Sequence, residues 1–186
     1  MKRTVTLALL CCICAISRGQ TVYGVALKNI DGGNINLNSY QGSKLLILLA
    51  PVSAYDSVRF RKIKAFQVVH PSSQVKLLGV MSIEDGYADS NKTAIKSTYQ
   101  HFGIDILLTE GLRTKKAAGS SQSPLFNWLT TKSENKLSAT DALGIGQKFI
   151  IDETGKLYSV SIPAVPLLSQ LVEQDLLRKL MPSNPL

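Results

Sequence analysis

Two short apolar runs constrain this chain more than any other feature: "KLLILLA" at 44–50 and "VKLLGVM" at 75–81. A continuous apolar run of that length suits a strand covered on both faces. Between them, Phe60, Ile63, Phe66 and Val69 recur at helical spacing. Arg59, Arg61, Lys62 and Lys64 fall mostly on the other side, and Pro71 stops the pattern. Strand, helix and strand with both strands buried predict a parallel pair at the centre of an α/β domain.

The rest of the chain extends the alternation. Tyr23–Leu27 and 34–37 read as strands around "NIDGGN", where Asp31-Gly32-Gly33 is a hairpin signal. Residues 91–100 read as a helix, and 123–131 as another with Pro124 in its first turn. "GLRTKKAAGSSQS" (111–123) is small and polar, and reads as a surface loop. "QKFIID" (147–152) and "KLYSV" (156–160) form a closing hairpin about "ETG", and 166–180 is an amphipathic helix. Helix and strand in this order predict a three-layer sandwich of thioredoxin-like architecture, with a central mixed sheet and helices on both faces.

Cysteine usage bears on chemistry. All three cysteines, Cys11, Cys12 and Cys14, lie in the first 20 residues, "MKRTVTLALLCCICAISRGQ". Lys2 and Arg3 precede an apolar run from Thr4 to Ile16, and Ser17 and Gly19 put small residues before a cleavage point between Gly19 and Gln20. Those are the marks of a secretory signal peptide over 1–19, too short for a permanent span. None of the residues just before the cysteines is the small residue that lipoprotein processing favours. The expected mature domain, 20–186, contains no cysteine: no disulfide, no thiolate nucleophile and no thiolate metal ligand. Without Lys2, Arg3 and Arg18 it carries 18 basic and 13 acidic residues, a net charge of +5. No second apolar span follows, so the expectation is an exported protein, periplasmic or extracellular.

Three stretches resemble the glutathione peroxidase family. "NSYQGSKLLILLAPVSA" resembles its opening turn and buried strand, "SPLFNWLT" its "PL-aromatic-x-WL" helix, and "GQKFIIDETGKLY" its late hairpin. The likeness runs from about Val22 to the C-terminus. It implies the glutathione-peroxidase type of the thioredoxin-like fold, and a site where a low-pKa cysteine or selenocysteine attacks the peroxide O–O bond, helped by glutamine, tryptophan and asparagine. Carried across residue by residue, the peroxidatic position falls on Ala54, the glutamine on Glu84, the tryptophan on Gly144 and the asparagine on Ile145. All four positions have changed chemistry.

No other residue replaces the thiol. Ser53 adjoins Ala54, but a hydroxyl needs a paired base, and His70 and His101 stand elsewhere in the predicted fold. Met81 offers only oxidative damage. Glu84 and Asp85 read first as a solvated loop, and the basic side of the 58–69 segment as a wet helix face, with no aromatic stripe to suggest nucleic acid. Trp128 reads as core, Asn91-Lys92-Thr93 as a chance sequon, and Asp56 or Ser57 as a helix cap beside Tyr55. No metal or other cofactor is expected. The reading is an exported, catalytically silent relative of this family that binds a protein or small molecule; a thiol-dependent peroxidase and an envelope assembly factor are the alternatives.

Overall fold

The computed structural model describes residues 21–72 and 75–178. The segment 1–19 read as a signal peptide, the expected Gly19–Gln20 junction and the end of the last expected helix lie outside the described residues.

The core is a five-stranded sheet. Strand β3 (Lys44–Leu49) is buried throughout and pairs in parallel with β4 (Val75–Ser82), which pairs in parallel with β5 (Leu107–Leu112). On the other side β3 pairs antiparallel with β6 (Lys148–Ile151), and β6 with β7 (Leu157–Ser161). The order is β5-β4-β3-β6-β7. The predicted parallel centre and antiparallel closing hairpin are both present.

Strand parity sorts the core into two layers. Leu45, Ile47 and Leu49 pack with Leu125, Phe126 and Trp128 on one face. Leu46, Leu48 and Ala50 pack with Phe60, Ile63 and Phe66 on the other. The first set meets helix α3 (Pro124–Thr130), capped by Ser123 Oγ, which accepts from Phe126 N at 3.4 Å. The second meets α1 (Ser57–Val69), α2 (Lys92–His101) and α5 (Gln170–Leu177). Between α1 and α2, Phe60 stands edge-on to Tyr99 with ring centroids 5.0 Å apart and stacks on Phe102 at 5.1 Å. Trp128 is core, as expected, and Met81 is fully buried.

Five features differ from the sequence reading. The segment 111–123 is not simply a loop: β5 takes 107–112, and a 3-10 turn covers 116–121. Thr109, Glu110 and Gly111 break the apolar pattern, and Gly111 is required because any Cβ would lie 2.5 Å from the Tyr87 ring. Secondly, 23–27 is a 3-10 turn at Val22–Gly24 ahead of a two-residue β1 (Leu27–Lys28), and 34–37 shrinks to β2 (Asn34–Ile35). The hydrogen bonds of this segment go to distant elements. Val22 N donates to Gly155 O and Ile30 N to Leu108 O, both at 2.9 Å. Thirdly, Val69 is exposed, and His70 takes the buried position after Phe66. Fourthly, the last helix starts at Gln170 rather than 166, because Ser169 caps it there by accepting from Val172 N. Fifthly, a single helical turn, α4 (Lys132–Asn135), follows α3 unforeseen.

Candidate functional site

In a parallel α/β sheet, ligands meet the loops beyond the carboxyl ends of the strands. Here those loops are 50–56 after β3, 83–88 after β4 and, because β6 runs antiparallel, the 141–147 segment that precedes it. Short-range contacts bring the three together. A Cβ on Gly86 would lie 3.7 Å from Val52 Cγ2, and one on Gly144 would lie 3.1 Å from Asp85 Oδ1.

The first loop is held at both ends. Ala50 N continues the ladder to Val80 O at 3.0 Å. Tyr99 Oη donates to Pro51 O at 3.1 Å, and burial pushes that phenol far above its ordinary range. Ser53 O accepts from Asp56 N at 3.1 Å, turning the chain into α1. Asp56 is the cap: Oδ1 accepts from Arg59 N at 3.4 Å, while Oδ2 pairs with the Arg59 guanidinium at 2.5 Å. Ala54 sits exposed on this turn, and Tyr55, at 98% exposed, extends into solvent.

The second loop holds two carboxylates with different surroundings. Glu84 Oε2 accepts from Thr114 N at 2.8 Å, Thr114 Oγ1 at 3.0 Å and Ser82 Oγ at 3.4 Å. Burial alone would push this carboxyl up, but the donors from Thr114 and Ser82 outweigh it and hold the carboxyl below its usual range. Glu84 is therefore a strut between β4 and the segment after β5. It is Asp85 that faces Gly144, and its Oδ2 is buried with no hydrogen-bond partner.

The third loop is set by backbone geometry. Gly144 has φ +108° and Gly146 φ +94°, both in the left-handed region that favours glycine. Gly146 N donates to Leu49 O at 2.8 Å, and Leu49 N to Gln147 O at 3.0 Å. The buried Gln147 side chain accepts from Leu143 N at 2.6 Å and donates to Asp141 O at 3.3 Å. A tryptophan at 144 would meet an unfavourable φ and the Asp85 carboxylate together. Ile145 beside it is half-buried.

The remaining candidates lie apart. Ser53 precedes α1 and His70 follows it, so 13 helical residues at ~1.5 Å each put them about 20 Å apart. His70 is buried, its Nε2 3.7 Å from Glu173 Oε1, and His101 is exposed at the end of α2. Asn91 of the sequon donates to Gly86 O and accepts from Ala88 N, bracing the second loop. Among the described residues, no group of three or more His, Cys, Asp or Glu could hold a metal ion, and no helix is long and apolar enough to cross a membrane.

Sequence reasoning did not single out Lys148. It opens β6 and is only 2% exposed. Its Nζ donates to Gly146 O at 2.5 Å and Val165 O at 2.7 Å, with Ile162 O at 3.5 Å. Burial, assisted by the Arg59 charge, pulls this ammonium down to about 8. The signal was strand parity: Lys148 shares a face with Ile150, which packs under the α1–α5 layer.

No protein-family model and no curated sequence matches the chain. Solved structures do. The apo form of Trgpx aligns with TM-score 0.59 and 12% identity over 84% of this chain and 96% of that one. T. cruzi GPX1 aligns with TM-score 0.57 and 14% identity over 84% and 97%. A thiol:disulfide interchange protein of the thioredoxin family from Chlorobium tepidum TLS aligns with TM-score 0.56 and 16% identity over 87% and 99%. The chain has the thioredoxin-like fold, and its structural neighbours include glutathione-peroxidase-like and thioredoxin-family proteins.

Proposed function

We propose that this is an exported thioredoxin-fold protein that does not reduce peroxides and works by binding a partner at the loops beyond its sheet. The observation that carries the reading is Ala54. A methyl group stands on the exposed turn between β3 and α1, where the glutathione peroxidase resemblance calls for the attacking sulfur, and residues 20–186 contain no cysteine. Peroxide reduction needs a thiolate or selenolate to take the oxygen atom and become a sulfenic or selenenic acid. Ser53 stands about 20 Å from His70, at the other end of α1, and Met81 is buried. Glu84 is engaged with Thr114 and Ser82, and Gly144 and Ile145 offer no side-chain donor. The N-terminal pattern of charge, apolar run and small residues supports export.

The test is peroxide turnover by the purified mature protein, residues 20–186, with thioredoxin and glutathione as reductants, beside an Ala54→Cys variant. Expected are no consumption by wild type above the protein-free control, and a variant whose thiol is oxidised faster than free cysteine. Wild-type turnover in proportion to protein concentration would overturn the reading in favour of a thiol-dependent peroxidase. A variant as inert as wild type would overturn the assignment of Ala54.

A further inference from the structure

A cavity of about 310 Å³ opens beside this site, between the first turns of α1, the start of β6 and the segment joining β7 to α5. The apolar part of its wall includes Leu48, Val165 and Leu167. Its charged groups are Arg59, Lys62, Lys148 and a single carboxylate, Asp56. Asp56 already caps α1 and pairs with Arg59. That leaves two cations, Lys62 and Lys148, with no carboxylate partner among the described residues.

Lys148 is the decisive group. A buried charge is costly unless it is paired and hydrogen-bonded. Its ammonium has three protons, of which two make short bonds, to Gly146 O and Val165 O. The third contact, to Ile162 O at 3.5 Å, lies at the limit of a hydrogen bond. That weak third contact belongs to a side chain lining a cavity whose one carboxylate, Asp56, is already paired with Arg59. A carboxylate oxygen that took the place of the Ile162 contact would form a charge-assisted bond. Lys62 and Arg59 would reinforce its charge from the rim.

We propose that this cavity binds a carboxylate carried on a short apolar chain. At ~30 Å³ per heavy atom, the volume of the cavity suits roughly ten such atoms. The carboxylate meets Lys148, and the chain lies along Leu48, Val165 and Leu167. Carboxylate binding here is independent of peroxide chemistry. A positive peroxide assay would remove the silent-protein reading and leave this one standing.

The probe is sodium octanoate, titrated calorimetrically into the purified protein. Acetate supplies the charge without the chain, and 1-octanol the chain without the charge. The expected result is saturable octanoate binding at least tenfold tighter than either control. Lys148→Met should abolish it; because Lys148 also holds two loop carbonyls, two exposed positions test the site without entering the core. Lys62→Glu should weaken octanoate at least threefold by reversing a rim charge, and Ala164→Trp should block the cavity and remove binding. Absence of octanoate binding would overturn the proposal, and so would octanol or acetate binding as tightly. Octanoate affinity unchanged in both surface variants would place the ligand elsewhere and overturn it equally.

Discussion

Two charged regions flank the end of β3, and their polar groups meet opposite fates. After β4, Glu84 lies near the surface and collects three donors, from Thr114 and Ser82. Across β3, Lys148 is buried with backbone carbonyls for company. Both titrate below their ordinary values, with opposite meanings. A lowered value in an acid means that the folded protein favours the charge. In a base it means that the folded protein resists it. The acidic loop is stabilised by its charge, whereas the cavity carries its charge at a cost.

The most disruptive way to break this comparison is to make the two regions alike. Lys148→Glu would set a buried carboxylate against the carbonyls of Gly146 and Val165, with Arg59 and Lys62 at the cavity rim offsetting only part of the repulsion. A poorly compensated buried charge costs about 3–5 kcal/mol, so we expect the variant to unfold at markedly lower urea, or to be recovered unfolded. A urea midpoint within experimental error of wild type would mean that Lys148 is not held as described.

The next effect is in pH. Lys148 titrates near 8 when folded and near 10.5 when unfolded. Between those values the unfolded chain binds more protons, so stability contributed by this group rises with pH, by about 1.4 kcal/mol per unit. Arg59, Lys62 and Asp56 face it across the cavity. Urea unfolding at pH 7, 8, 9 and 10 should show this rise in wild type and its loss in Lys148→Met. Parallel profiles for the two proteins would contradict the buried-ammonium account.

The smallest effect belongs to the acidic loop. Glu84→Gln keeps the shape and one acceptor but loses the charge-assisted bonds, a loss of about 1 kcal/mol. The sign here is reversed: the folded value lies below the unfolded 4.5, so Glu84 contributes stability above that value, which is lost as pH falls through the folded one. Wild type and variant should therefore converge in acid and differ at pH 7. A difference that persists undiminished at pH 2 would assign the effect to packing.

Much of the fold was legible because its signals are local. Short, nearly continuous apolar runs suit buried strands, and Phe60, Ile63 and Phe66 share a helix face whatever surrounds them. Asp56 before α1 and Ser123 before Pro124 cap their helices through bonds spanning three residues. β5 was not legible. Its Thr109-Glu110-Gly111 centre has no strand pattern, and the glycine answers to the Tyr87 ring, a residue distant in sequence. The candidate site divides the same way. The methyl at Ala54 and the lack of a thiol after residue 19 are matters of sequence. That Asp85 rather than Glu84 faces Gly144 depends on how two loops from different strands meet.

The sequence by itself therefore determined the central strand–helix–strand unit, the closing hairpin and the lack of any cysteine after Cys14. These follow from side-chain period and residue identity, which need no knowledge of neighbours. Only the tertiary structure decided that Glu84 is a strut, that Asp85 presses on the 144 loop and that Lys148 is a buried cation on a cavity wall. Each depends on partners some 15 to 60 residues away. The energy of a charged group is set by the water and dipoles that folding removes or supplies, and no local stretch of sequence carries that information.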